Sequence, residues 1–230
     1  MKDCENLLNE GIEILCKSDK NVEHLIAVRR KEIISLLICY IKEIELFNPA
    51  YGLVGAADTK ELIIKHILDS LAPLGIILRF KTSSIADAGS GAGLPGIPLA
   101  ITMNQNNITL IERMGRRAGF LLNTKAVLQL SNISIEEKEL EKVQRNSGTL
   151  PAGGYDLITF RAFKPLDPKL LKTLFKILNP NGIIAAYKGR QEKTENEIIP
   201  LGLEKNQWEI IPYSVPFLDE ERHLLVIKRN

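Results

Sequence analysis

Most of the chemistry visible in this chain lies in Asp87-Ala-Gly-Ser-Gly-Ala-Gly-Leu-Pro-Gly96, set between a short apolar run and a stretch of helical character. Glycines at this spacing let the backbone turn tightly and approach a ligand, while the following helix presents unpaired N–H groups. Two ligands fit. Gly91-Ala-Gly93-Leu-Pro-Gly96 matches the dinucleotide fingerprint G-x-G-x-x-G, and Glu112, about 20 residues on, is placed to accept hydrogen bonds from ribose hydroxyls. Framed instead as Asp87-x-Gly89-x-Gly91-x-Gly93, the loop carries a carboxylate just ahead of its cradle. That group would repel a pyrophosphate but suits S-adenosylmethionine, which bears an ammonium and a sulfonium. Glu112 serves either ligand, so Asp87 favours the methyl donor, held by Asp87, Gly89, Gly91, Gly93 and Glu112.

The acceptor is narrowed by what the chain lacks. The fourth apolar run ends Phe160-Arg161-Ala162-Phe163-Lys164-Pro165, not in the Asn/Asp-Pro-Pro-aromatic pattern that grips an exocyclic nitrogen. The three cysteines, Cys4, Cys16 and Cys39, all precede the glycine loop, so no thiol is available to attack a pyrimidine ring. A nucleophile with a free lone pair remains, such as N7 of guanine, for which positioning suffices. Cations collect where a substrate would approach: Arg113, Arg116, Arg117 and Lys125, then Arg161 and Lys164, then Lys188 and Arg190. That is more than a small molecule needs and suits a nucleic-acid backbone. Arg161, Lys188 and Arg222 are the candidates for phosphate or guanine O6, arginine making bidentate contacts and lysine a point contact. Tyr187 or Phe163 could stack on an extruded base or fill the core. His66, Asp69 and Ser70 share one helix face, either at a pocket edge or fixing that helix to the core. Three scattered histidines supply no metal cluster, and none is expected.

These residues need a scaffold. The first seventy residues carry helical periodicity, with Ile33, Leu37, Ile41 and Ile44 on one face, a break at Asn48-Pro49 and a further helix over Thr59–Leu71 capped by Asp58. Strands are expected at Ser84–Ala88, Ile108–Glu112, Ile133–Glu137, Tyr155–Arg161 and Ile183–Tyr187. Helices fit between them at Pro95–Met103, Arg116–Leu130, Glu139–Arg145 and Pro168–Leu178. That alternation predicts βαβ units around a parallel sheet. Trp208–Phe217 and His223–Lys228, joined by Asp219-Glu220-Glu221, predict an antiparallel hairpin at its edge. Asn146–Gly154 reads as a flexible loop. The division is a helical extension, residues 1–72, and a Rossmann-like domain, residues 73–230.

With 230 residues, 45% of them hydrophobic, and a net charge of +2, the chain can bury a sizeable core and is no polybasic tail protein. An odd cysteine count without C-x-x-C fits neither disulfides nor zinc; free thiols in a reducing compartment are expected, Cys39 as a small core hydrophobe. No apolar run approaches the length of a membrane span. The expectation is a cytoplasmic monomer without membrane or metal.

The sequence closely resembles the bacterial small-subunit ribosomal RNA methyltransferase G family, also called the glucose-inhibited division protein B family. The resemblance runs from about Asn48 onward through His66-Ile-Leu-Asp-Ser70, the loop Asp87–Pro98, Arg116-Arg117 with Phe120-Leu121, Arg161-Ala162, Lys188-Gly189 and Glu221-Arg222-His223-Leu224. It implies a class I S-adenosylmethionine-dependent methyltransferase fold with a helical N-terminal extension. It also implies methyl transfer to N7 of guanine 527, in the 530 loop of 16S rRNA within the 30S subunit. By the same resemblance the donor contacts are Gly89, Leu94, Leu140, Glu141 and Arg161. Where the family has Arg-Ala-Glu, this chain has Glu139-Leu140-Glu141. Other readings are a methyltransferase of this fold with another RNA or small-molecule substrate, a nucleotide-binding oxidoreductase, and a non-catalytic ribosome-binding module.

Overall fold

The computed structural model describes residues 2–143 and 150–229. Seven strands form one sheet in the order β3-β2-β1-β4-β5-β7-β6. β1 (Ser84–Ala88), β2 (Asn107–Ile111), β3 (Ile133–Glu136), β4 (Tyr155–Arg161) and the paired part of β5 (Leu178–Lys188) are mutually parallel. β7 (His223–Lys228) runs antiparallel between β5 and β6 (Trp208–Pro212). β1 is buried along its whole length, as expected for a strand covered by helices on both faces. The order reverses beside β1, between β2 and β4. That switch point is where open α/β sheets hold their ligands.

The helices before the sheet are α1 (Lys2–Ser18), α2 (Lys20–Ala27) and α3 (Arg30–Tyr51), then α4 (Thr59–Leu62), a π-helical turn Ile63–Leu68, α5 (Asp69–Leu71) and α6 (Leu74–Ile77). Crossovers use α7 (Gly96–Thr102), α8 (Gly115–Val127), α9 (Pro168–Ile177) and α10 (Gln191–Ile198). Ile33, Leu37, Ile41 and Ile44 of α3 are buried, and the N-terminal helices share one apolar core with α7, α8 and one face of the sheet. The Tyr40 hydroxyl, fully buried, donates to the Ala92 carbonyl at 2.7 Å and ties α3 to the glycine loop. Among the described residues no helix is long and apolar enough to cross a membrane.

Four expectations are corrected. α3 does not break at Asn48-Pro49; it runs on to Tyr51 and ends at Gly52, whose φ of 58° closes the helix. The Asn48 side chain brackets Val54, accepting from its N–H and donating to its carbonyl, which fixes the exit chain despite the proline. Cys39 is exposed because it lies off the buried stripe of α3, and Cys16 is the buried thiol. The helix expected at Glu139–Arg145 is a 3-10 turn, Leu140–Lys142, followed by Val143 in an extended conformation, with residues 144–145 outside the described residues. β6 stops at Pro212, well short of Phe217, so the acidic triplet is only the far end of a longer connection. Pro216 has no N–H to donate, and the last rung is the Tyr213 N–H to the Arg222 carbonyl at 3.0 Å. The loop predicted over Asn146–Gly154 lies partly outside the described residues.

Candidate active site

The glycine loop leaves β1 and folds back over it. The N–H groups of Gly89 and Ser90 both donate to the Ile111 carbonyl, at 2.9 and 3.1 Å, pinning the loop to the end of β2. Gly89 has φ of 71°, and a Cβ there would overlap the Phe163 ring, so two constraints demand glycine. Asp87 is fully buried and its Oδ2 accepts from the Gly96 N–H at 3.0 Å, fastening the start of α7 to β1. Its Oδ1 has no partner among the described residues. Burial pushes the Asp87 carboxyl up to about 7 against the opposing pull of the Gly96 N–H. Glu112, also buried, accepts from the Gly91 N–H through Oε2 at 2.9 Å and from the Met114 N–H through Oε1 at 2.8 Å. Each carboxylate oxygen keeps a second lone pair for a ligand donor.

A cavity of about 700 Å³ opens on this loop, a size suited to a small organic ligand. Gly89, Ile111, Glu112, Met114, Leu140, Glu141 and Phe163 are in its wall. Leu140 supplies buried apolar surface, and Glu141 pairs with Lys164 at 3.1 Å. A backbone N–H and the Lys164 ammonium hold the Glu141 carboxyl below the usual range. Glu139, where the family has arginine, also borders the cavity and pairs with Lys142 at 3.1 Å. Of the predicted donor residues, Gly89, Glu112, Leu140 and Glu141 face this cavity, whereas Asp87, Gly91, Gly93 and Leu94 support the loop and are not part of the wall.

A second cavity, about 580 Å³, lies across Ala162, Phe163 and Lys164, which line both. Arg161, Lys188 and Arg222 meet here, brought from the ends of β4 and β5 and from the β6–β7 connection. Asp69, 4% exposed, accepts from Arg161 Nη1 at 2.9 Å, faces Arg222 Nε at 3.4 Å and accepts from the Tyr213 hydroxyl at 3.3 Å. Arg161 Nη1 also donates to the Lys65 carbonyl at 2.9 Å, and Nη2 lies 3.0 Å from His66 Nδ1. A guanidinium can only donate, so Nδ1 must accept and the imidazole proton sits on Nε2, toward the Gly55 carbonyl at 3.4 Å. Burial and then the Arg161 charge lower the His66 pKa and favour that neutral ring. Lys188 pairs with Glu197, which also accepts from the Leu166 N–H at 3.1 Å. The Tyr187 hydroxyl donates to the Ser70 carbonyl at 2.9 Å from a fully covered position.

The His66–Asp69–Ser70 face therefore does both things open to it: it borders a cavity and fastens the N-terminal helices to the sheet, through Arg161 and Tyr187. Arg161 faces the second cavity and is absent from the first one's wall. Sequence reasoning passed over Lys65, Glu197 and Tyr213. Lys65 stands four residues before Asp69 and was detectable as part of that helix face; Glu197 and Tyr213 carry no local pattern. Among the described residues no group of three or more His, Cys, Asp or Glu side chains is arranged to hold a metal ion. The first cavity, with a buried carboxylate at Glu112, an unpaired Asp87 oxygen behind the loop and an apolar wall at Leu140, suits a ligand that is part nucleoside and part cation.

Residues 33–225 match the family described as rRNA small subunit methyltransferase G. The chain is 37% identical over 224 residues to the ribosomal RNA small subunit methyltransferase G of Treponema denticola, covering 84% of this chain and 85% of that one. It is 38% identical over 216 residues to the protein of that name from Treponema pallidum, covering 90% and 91%. Its fold is similar to that of a Methanococcus maripaludis protein assigned as an S-adenosyl-L-methionine-dependent methyltransferase, with a TM-score of 0.54 at 18% identity over 83% of this chain and 92% of that one.

Proposed function

Because the chain belongs to the rRNA small subunit methyltransferase G family, and so to the S-adenosyl-L-methionine-dependent methyltransferases of small-subunit ribosomal RNA, we propose that its acceptor is N7 of guanine 527 in the 530 loop of 16S rRNA. The observation that carries this reading is the pair of cavities meeting at Ala162–Lys164, a nucleoside-sized one on the glycine loop and a polar one walled by arginine and lysine. S-adenosyl-L-methionine, when bound, supplies an electrophilic methyl group. Glu112 holds the ribose hydroxyls with its free lone pairs, Leu140 and Glu141 flank the base, and Gly89 allows the close approach. Gly91, Gly93 and Leu94 shape the loop, Asp87 keeps it on β1, and Arg161, seated in the second cavity beside Ala162, faces the acceptor. Lys188 and Arg222 address guanine O6.

N7 already exposes a lone pair, so no residue has to remove a proton. The chain's contribution is to align acceptor and donor and to exclude water. Residues 1–72 form the helical extension that completes the second cavity through Lys65, His66 and Asp69, and residues 73–230 form the catalytic domain.

The test is incubation of the purified protein with radiolabelled S-adenosyl-L-methionine and 30S subunits lacking the modification, beside naked 16S rRNA and tRNA. Label released as N7-methylguanine from the 530 loop supports the reading; label in tRNA alone, or at another nitrogen, discards it.

A further inference from the structure

Cations border both cavities, and three arginines beside the first stand apart from the rest. In the second cavity Lys65 sits on Glu61, Arg161 on Asp69, Lys188 on Glu197 and Arg222 on Asp69 and Glu220. Beside the first, Lys138 sits on Glu136 and Lys164 on Glu141, but Arg113, Arg116 and Arg117 have no hydrogen bond and no ion pair among the described residues. Arg113 and Arg116 are exposed. Arg117 is half-buried, and its Nε is shut off from water with no acceptor. All three surround the start of α8, whose first turn holds no acidic residue. The carboxylates nearby make no ion pair with them: Glu112 accepts from the N–H groups of Gly91 and Met114, and Glu137 lies against Gly115.

A cation already seated on a carboxylate must break that pair to take a phosphate, and holds few counterions to release. A bare arginine cluster has neither handicap. Three positive charges crowded at the positive end of a helix dipole are also mutually unfavourable until an anion arrives. We infer that Arg113, Arg116 and Arg117 form a phosphate clamp for the RNA strand flanking the target base, while the charge-compensated arginines of the second cavity address the base itself. Arg117, whose buried Nε needs an acceptor and whose side chain borders the donor cavity, sets how near the backbone comes to the methyl donor.

This inference rests on the ribosomal RNA reading above, and its test separates the two. Dissociation constants for 30S subunits lacking the modification are measured by filter binding between about 50 and 200 mM salt, for the unaltered chain, Arg113→Gln/Arg116→Gln, Arg117→Gln and Arg222→Ala. The clamp requires the log–log salt slope to flatten by about one for each arginine removed from the trio. Affinity at the low-salt end should weaken about tenfold or more, a loss larger than any change in S-adenosylhomocysteine affinity by calorimetry. Arg222→Ala should keep the slope and lower turnover at saturating subunits. An unchanged slope in the double variant overturns the clamp, as does an Arg117→Gln variant that loses S-adenosylhomocysteine binding while keeping the full salt slope, which would place that arginine in the donor site alone. If the unaltered chain methylates no 30S subunit yet binds tRNA with a salt slope that the double variant flattens, the clamp stands and the proposed acceptor falls. If it binds no RNA in a salt-dependent way, the clamp falls with it.

Discussion

The two cavities that meet at Phe163 are built on opposite plans. The one on the glycine loop is shaped by backbone: Gly89, Ser90 and Gly91 N–H groups spend themselves on Ile111 and Glu112, and the ligand-facing surface follows from φ angles that only certain residues tolerate. The other is shaped by side-chain charge, with Asp69 of one helix holding Arg161 from β4, Arg222 from the β6–β7 connection and the Tyr213 hydroxyl. A backbone-built site survives substitution of its neighbours but not of its glycines. A charge-built site depends on each partner, because removing one leaves the others buried without compensation.

That contrast can be broken by experiment. The largest effect is expected from Gly91→Asp. No heavy atom lies closer than 3.9 Å to a Cβ at Gly91, and φ of 57° is one that aspartate adopts, so the fold should persist. The new side chain beside Glu112 should crowd the ribose site and lower S-adenosylhomocysteine affinity by about a hundredfold or more, a loss of roughly 3 kcal/mol. Calorimetry returning the original affinity would move the donor elsewhere. Next is Asp69→Ala, which strands Arg161 and Arg222: stability should fall by about 3 kcal/mol or more in urea titration. Asp69→Asn, which keeps an acceptor, should recover part of it. Equal behaviour of the two variants would show that the charge is idle.

Arg222→Ala should come third, cutting kcat/KM for subunits about tenfold while donor affinity stays within about twofold. Equal loss of both would merge the two cavities into one site. Asp87 is read through pH. Its folded pKa, about 7, lies above the unfolded value, so the folded chain binds the proton more tightly. Stability should therefore decline as pH rises from about 4 through 7, and Asp87→Asn should flatten that decline. A wild-type profile that instead rises across this window relative to the variant would mean that Asp87 is ionised and paired in the fold.

The same contrast explains what could be read without a structure. The loop from Asp87 to Gly96 is contiguous, and its chemistry is dictated by residues that touch within a few positions. β1, β4 and β7 have the expected bounds for a related reason, each a short apolar run with clear punctuation. The helix end near Pro49 was misplaced because a local rule was outweighed by Asn48 reaching forward to Val54. Glu197 could not be found, since its partner Lys188 is fixed by a strand and a helix whose packing no spacing rule encodes. Arg161 was visible as a cation at a strand end. Its seat on Asp69, 92 residues earlier, was not.

That separation bears on the order in which the protein becomes whole as it is made. The donor cavity has all its described walls once residue 169 has emerged. Asp69, synthesised early, gains Arg161 after 92 residues and Tyr213 only after 144. Until Tyr213 and Arg222 are made, the carboxylate of Asp69 has only part of its compensation, while the residues of the first cavity's wall are all present. The residues that wall the first cavity are thus complete in the growing chain well before those of the second.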